Sequence, residues 1–299
     1  MNERYEVPEP LAAFDATMAD GAVLTVRRHG NPDGPRMVLS HGNGQSVDGY
    51  YPYWSLLTDR FDLFVYDLRN HGRNPVGDQE AHSIGTFGGD CGGVLRAIDQ
   101  RFGEKPAIGV YHSVSALGAL LHAQQTDDFA TLVLFDAPVC KPGLTPEQMG
   151  VRFERGATGT RRRPDRFESR EALAESLRRN PMYQRVRPGV PDLLADTVLR
   201  PAADGAGYEL ACPKEYEAQA YDGAERWCVQ VDLAALRCPI KVIGSDPTTP
   251  FSFFPGVDLS ELIDANYDFI PETTHFLQLE EPEQCAALTI EFLEEHGFA

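Results

Sequence analysis

Ser113, His275 and a strand-ending aspartate are the residues of this chain whose types and order could do chemistry together. Ser113 stands in Tyr111-His112-Ser113-Val114-Ser115, directly after the apolar run Ala107–Tyr111 and before a small-residue helix, Ala116–Gln124. A strand that turns sharply into a helix lifts the turn residue out of the sheet edge and turns the next backbone N–H groups towards it. The helix N-terminus adds partial positive charge there. Such a corner exposes a nucleophile and stabilises the oxyanion its attack creates. A strand–serine–helix junction is also an ordinary N-cap site, so the corner needs company before it means catalysis.

His275 supplies the company. It lies in Thr274-His275-Phe276-Leu277-Gln278-Leu279-Glu280, just past the last apolar run, Tyr267–Ile270. A serine hydroxyl is a weak nucleophile at neutral pH and needs an imidazole to take its proton. The imidazole needs a carboxylate to fix its tautomer and stabilise its charged form. Two carboxylates are placed for this. Asp246 ends the run Ile240–Ile243 in Gly244-Ser245-Asp246-Pro247; Asp136 ends the run Thr131–Phe135. Asp246 is preferred, because it closes the strand immediately before the one leading to His275, and Asp136 is the alternative. The loop Ser40-His41-Gly42-Asn43-Gly44 follows an earlier apolar run, Met37–Leu39. Its Asn43 N–H, with that of Val114, would form an oxyanion hole, and Gly44 is the alternative donor.

The elements that must hold these residues follow from periodicity. Short buried-looking runs at 37–39, 61–66, 107–111, 131–135, 240–243 and 267–270 alternate with helix-length stretches at 83–102, 116–124 and 281–296. The stretch 21–28 alternates apolar and polar residues like a half-exposed strand. The pattern predicts an α/β fold, a mostly parallel sheet with helices on both faces. In such sheets ligands gather at the carboxyl ends of the strands, where all the residues above fall. Residues 141–232 interrupt the pattern with prolines, Arg161–Arg163 and a helix candidate at 169–179. The expected organisation is a core of residues 1–140 and 233–299 with an inserted helical cap at 141–232.

Taken together, five segments resemble the α/β-hydrolase superfamily, in its serine esterase and lipase-like branch with a helical cap. They are His41-Gly42-Asn43-Gly44; Tyr66-Asp67-Leu68-Arg69-Asn70-His71-Gly72-Arg73; His112-Ser113-Val114-Ser115; Gly244-Ser245-Asp246-Pro247; and Thr274 through Pro282. The resemblance implies hydrolysis of an ester, thioester or lactone through an acyl-enzyme, with neither metal nor organic cofactor. Acyl transfer, perhydrolysis, C–C bond hydrolysis and a non-catalytic ligand-binding protein are the other activities such a fold would allow. Tyr111 and Ser115 stand where the usual G-x-S-x-G corner has glycine. Asn43 resembles the asparagine after His-Gly in haloalkane dehalogenases. Those enzymes, like epoxide hydrolases of this fold, place an aspartate where this chain has Ser113.

Composition limits the partners. The 299 residues carry a net charge of −18, with 45 acidic against 27 basic side chains. Nucleic acid and anionic membrane surfaces are disfavoured, and a small acyl ester is the expected ligand. The six cysteines are scattered without metal-ligand spacing, and no stretch approaches the roughly 18 apolar residues of a membrane span. The expected setting is the cytoplasm, with reduced thiols. Tyr50, Tyr51, Tyr53 and Trp54 could wall an acyl pocket, although aromatics packed into the core are the more ordinary reading. His71 reads as a structural turn residue. Arg161–Arg163 could attract an anionic substrate or simply coat the cap.

Overall fold

Every residue of Ala107–His112 is buried, as a central parallel strand covered on both faces must be. The computed structural model describes residues 4–139, 145–248 and 266–298. In chain order it begins with β1 (Ala12–Thr17), β2 (Val23–Gly30), β3 (Arg36–Leu39), α1 (Tyr51–Trp54) and β4 (Asp62–Tyr66). It continues with α2 (Ile84–Phe102), β5 (Ala107–His112), α3 (Val114–Ala123) and β6 (Phe129–Phe135). After α4 (Pro146–Arg162) come β7 (Arg166–Phe167), α5 (Arg170–Arg179), α6 (Val190–Thr197), β8 (Leu199–Pro201) and β9 (Tyr208–Leu210). The chain then forms α7 (Lys214–Tyr221), α8 (Ala224–Cys228), β10 (Ile240–Ser245), β11 (Asn266–Ile270), α9 (Leu277–Glu280) and α10 (Pro282–Glu295).

The main sheet has the order β1-β2-β4-β3-β5-β6-β10-β11. The β1–β2 and β2–β4 pairs are antiparallel and the rest are parallel. Its two faces are separate cores. One packs α2 and α3 against Val38, Phe64, Tyr111 and Leu134. The other packs α1 and α10 against Met37, Leu39, Val110 and Phe135. This is the doubly covered sheet that the alternation of apolar runs predicts. β1, whose alternation is weak in sequence, is an added edge strand with exposed positions alternating with half-buried or, at Ala16, buried ones.

The glycines of α2 weaken it as an isolated helix, yet it runs unbroken for 19 residues. Their use is close packing. A Cβ on Gly88 would stand 2.9 Å from the Gly118 carbonyl of α3, so the two helices approach backbone to backbone. Tyr50, Tyr53 and Trp54 are fully buried, so the core reading of this aromatic cluster holds, and Tyr51 is half-buried. The Trp54 indole donates to the Val47 carbonyl at 3.0 Å, as a buried N–H should.

Between β6 and β10 the segment is not purely helical. Alongside α4 to α8 it carries a small antiparallel sheet, β7-β9-β8. Strands of two and three residues are too short to show alternation, which is why the sequence reads as helix and loop there. The expected cap boundary at 140–141 lies outside the described residues. No described helix is long and apolar enough to cross a membrane. Cys91, Cys212, Cys238 and Cys285 are not in disulfides.

Buried histidines make the stability of the fold depend on pH. Burial pushes His29 and His41 down to about 4, His71 to about 3 and His82 to about 2. In the unfolded chain a histidine titrates near ~6.5. Below that pH the unfolded state takes up protons that the folded state refuses, so stability falls as pH falls. The loss should begin near ~6.5 and continue to about 4, where His29 and His41 themselves protonate. Urea unfolding followed at intervals across this window should show a steadily declining midpoint. A midpoint that stays level between those limits would contradict the burial of these rings.

Candidate functional site

Three strand ends converge on Ser113. β5 ends one residue before it, β6 ends one residue before Asp136, and β6 lies between β5 and β10 in the sheet. Ser113 has φ 56° and ψ −120°, the sharp corner expected between strand and helix. The Ser113 N–H donates to the Phe135 carbonyl at 3.0 Å, which ties the corner to the neighbouring strand. Its hydroxyl makes no capping bond to α3, so the side chain is not spent on an N-cap.

Neither departure from the glycine pattern spoils this corner. Tyr111 points away from it into the α2 side of the core. Its ring packs edge-on against Phe129 and its hydroxyl meets Cys91 Sγ at 3.2 Å. The bulk therefore lies back in the core against Phe129 and Cys91, clear of the turn itself. Ser115 is small enough to fit and adds two bonds. Its Oγ accepts the His112 N–H at 3.0 Å and donates to the His112 carbonyl at 2.9 Å.

His275 Nε2 lies 3.1 Å from Ser113 Oγ, and His275 Nδ1 lies 2.5 Å from Asp136 Oδ2. Asp136 Oδ1 accepts from the Ser245 N–H at 3.1 Å and the Ser245 hydroxyl at 3.0 Å. Burial pushes the Asp136 carboxyl up, but the hydrogen bond and charge of His275 outweigh it and hold the group below its ordinary value. The carboxylate is thus ionised and aimed at one imidazole nitrogen, while the other nitrogen faces the serine.

The preferred acid, Asp246, is not the carboxylate on His275 Nδ1; the alternative, Asp136, holds that place. Asp246 Oδ1 accepts from the Thr248 N–H and hydroxyl at 2.8 and 2.7 Å, and Oδ2 accepts from the Glu272 N–H at 2.8 Å. It fastens the loop after β10 to the loop after β11. The physical reason is lateral position. Asp136 leaves the strand beside the serine's own, and Asp246 leaves the next one over.

The Gly42–Gly44 loop is held by histidines that the sequence motifs place around it. His41 Nδ1–H donates to the Gly42 carbonyl at 2.7 Å, and its Nε2 accepts the Leu68 N–H at 3.0 Å. His71 Nδ1–H donates to the Arg69 carbonyl at 2.9 Å, and its Nε2 accepts the Gly44 N–H at 3.0 Å. The turn reading of His71 is therefore right, and the Gly44 amide is taken. The Asn43 and Val114 amides have no protein acceptor among the described residues, which leaves them available to an oxyanion. The Asn43 side chain donates to the Glu217 carbonyl at 2.8 Å, tying the loop to α7.

A chain of hydrogen bonds that sequence reasoning missed joins this loop to the histidine loop. The Gly42 N–H donates to Tyr50 Oη at 3.2 Å, and Tyr50 Oη lies 2.7 Å from His112 Nδ1. His112 Nε2 lies 2.9 Å from the His275 carbonyl oxygen. A carbonyl only accepts, so Nε2 carries the proton and the Tyr50 hydroxyl donates to Nδ1. Burial keeps the His112 ring neutral, well below its ordinary value. The signal in sequence was its place beside Ser113, but nothing there names its partners.

His71, His82 and Cys212 bring ligand-type atoms within 4.8 Å of one another. Both nitrogens of His71 are already committed to backbone partners, so it has no lone pair left for a cation.

Over the serine lies a cavity of about 630 Å³. Gly42, Asn43, Ser113 and His275 form its floor, and Thr160, Arg163, Asn180, Tyr183, Glu217 and Tyr221 come from the segment between β6 and β10. Its size suits a small molecule. The aromatic cluster 50–54 does not line it, so the acyl-wall reading of those residues fails.

Among solved structures, that of E-2-(acetamidomethylene)succinate hydrolase superposes with a TM-score of 0.75 at 20% identity, covering 95% of this chain and 99% of the other. A thermophilic esterase from Thermogutta terrifontis, with malate bound, gives 0.66 at 20% identity, covering 95% and 98%. An 80-residue stretch is 39% identical to "Probable oxidoreductase EphD" of Mycobacterium tuberculosis H37Rv; it is 25% of this chain and 13% of that one. The model of the alpha/beta hydrolase family matches residues 37–288. With that match over most of its length, the chain belongs to the alpha/beta hydrolase family.

Proposed function

We propose that the protein is a serine hydrolase that cleaves a small carboxylic ester through an acyl-enzyme on Ser113. The observation that carries this reading is the continuous line Asp136–His275–Ser113, at 2.5 and 3.1 Å, on the floor of a small-molecule cavity. His275 Nε2 takes the Ser113 proton as Oγ attacks the ester carbonyl. Asp136 holds the proton on Nδ1 and stabilises the imidazolium. The Asn43 and Val114 amides receive the oxyanion. Collapse expels the alcohol, protonated by His275. Water, deprotonated by the same imidazole, then attacks the acyl-enzyme and releases the acid.

The direct test is labelling with a fluorophosphonate, read by mass spectrometry of the intact chain and of its peptides. The expected result is one adduct per chain, located on Ser113. An unlabelled protein, or a label placed elsewhere, overturns the reading.

Tyr50 positions this machinery from outside the cavity lining. Tyr50→Phe leaves the Gly42 N–H and His112 Nδ1 buried without their partner. Stability should fall by about 2 kcal/mol. Drift of the oxyanion loop relative to His275 should lower kcat by about ten-fold with little change in KM. A variant that is destabilised with kcat intact would assign the hydroxyl to folding alone.

A further inference from the structure

One cation in the cavity has no task in the reaction above. Arg161 and Arg162 are exposed, and Arg161 pairs with Glu215 and Asp222 on the surface. Arg163, the extended residue just after α4, turns the other way and lines the same cavity as Ser113 and His275. It is the one Arg or Lys among the described lining residues. Protein surrounds it, yet 37% of its side chain stays accessible, and that surface is cavity wall.

Glu217 holds the guanidinium by one edge. This carboxylate is 3% exposed and accepts from Arg163 Nη2 and, at 3.3 Å, from the Thr160 hydroxyl. It is wedged against the oxyanion loop: a Cβ on Gly44, whose φ is +70°, would stand 2.3 Å from Glu217 Oε2. Glu217 therefore cannot swing to cover the rest of the guanidinium. A guanidinium has five N–H donors. Among the described residues Arg163 uses one of them on protein, and its Nε is buried without a partner. A guanidinium with unused donors facing a substrate cavity has room for a further acceptor.

We infer that Arg163 anchors a free carboxylate on the substrate, so that the esters cleaved at Ser113 are half-esters of small dicarboxylic acids. A planar carboxylate matches the fork of a guanidinium, and a singly charged group adds the least repulsion against Glu217 beside it. A phosphate dianion would bring a second negative charge against that buried carboxylate. Calling the ligand a substrate rests on the serine-hydrolase reading; the binding site does not.

The test separates the two. Isothermal titration of the Ser113→Ala protein uses monomethyl and dimethyl esters of malonate, succinate, glutarate and adipate. For at least one chain length the half-ester should bind about ten-fold or more tightly than its diester. Adding Arg163→Gln should bring the pair within about two-fold. Because that change strands Glu217, Arg163→Gln with Glu217→Gln, which leaves no buried charge, is measured beside it. The inference is overturned if half-esters and diesters bind alike, if no half-ester binds, or if the discrimination survives in either variant. Failure of fluorophosphonate labelling, by contrast, removes the hydrolase reading and leaves these titrations standing.

Discussion

Ser113→Ala should lower kcat for p-nitrophenyl esters by about 10⁴-fold or more, with the fold intact. The size follows from what is removed. The hydroxyl is the group that faces His275 Nε2 at 3.1 Å, and no other side chain stands at the corner to replace it. What survives is the modest acceleration that an oxyanion hole and binding give to attack by water. The intact fold follows from what is kept: Ser113 Oγ caps no helix, and the backbone bond to Phe135 is independent of the side chain. Steady-state rates across the acetate-to-decanoate series, with circular dichroism as the control for folding, check both halves. Wild-type-like rates in the variant would remove Ser113 as the nucleophile. The chain-length profile of the wild type would gauge the 630 Å³ cavity from inside.

The second large effect distinguishes two aspartates that a sequence reader weighs against each other. Asp136→Asn should cost about 10⁴-fold in kcat. An amide in place of the carboxylate offers an N–H to His275 Nδ1 and so favours the tautomer with its proton on Nε2. That proton then faces Ser113 Oγ, and the ring cannot accept another. Asp246→Asn should leave kcat within a few-fold. It should instead lower stability, by about 1–3 kcal/mol, because Asp246 accepts three bonds that fasten the loops after β10 and β11. Kinetics and urea unfolding on both variants give a crossed result, one variant inactive and stable, the other active and weakened. The reverse crossing would return Asp246 to the site.

The two aspartates also show what the amino-acid sequence could and could not disclose. Strand ends are legible because buried parallel strands are short apolar runs that stop abruptly at polar residues, and Ser113, Asp136, Asp246 and His275 all follow such stops. Lateral order in the sheet is not written in that pattern. β6 lies beside β5 although β10 is nearer in sequence to His275, so proximity along the chain pointed to the wrong carboxylate. Tyr111 illustrates the converse. Its size looks prohibitive when the corner is read as a string of five residues, but the ring lies back in the core against Phe129 and Cys91. Arg163 was visible only as one of three arginines, since the backbone leaves the helix there, at φ −76° and ψ 155°, and that break, not residue type, turns it inward. The strands β7 to β9 were invisible because two or three residues carry no period.

Among the described residues four non-glycines have positive φ: Asn70 at 62°, Ser113 at 56°, Asp136 at 42° and Glu272 at 61°. Two of them are the partners of His275. Backbone held in such regions costs about 1–3 kcal/mol per residue, and the surrounding sheet bears it. The site is thus the place where the chain is least at ease. Alanine at 113 keeps that discomfort, because it keeps a Cβ; glycine would release it. Heat resistance and turnover therefore pull in opposite directions at a single codon. A lineage relieved of the need to react could become hardier by one change there, and a serine at this corner is a residue that folding alone would not choose.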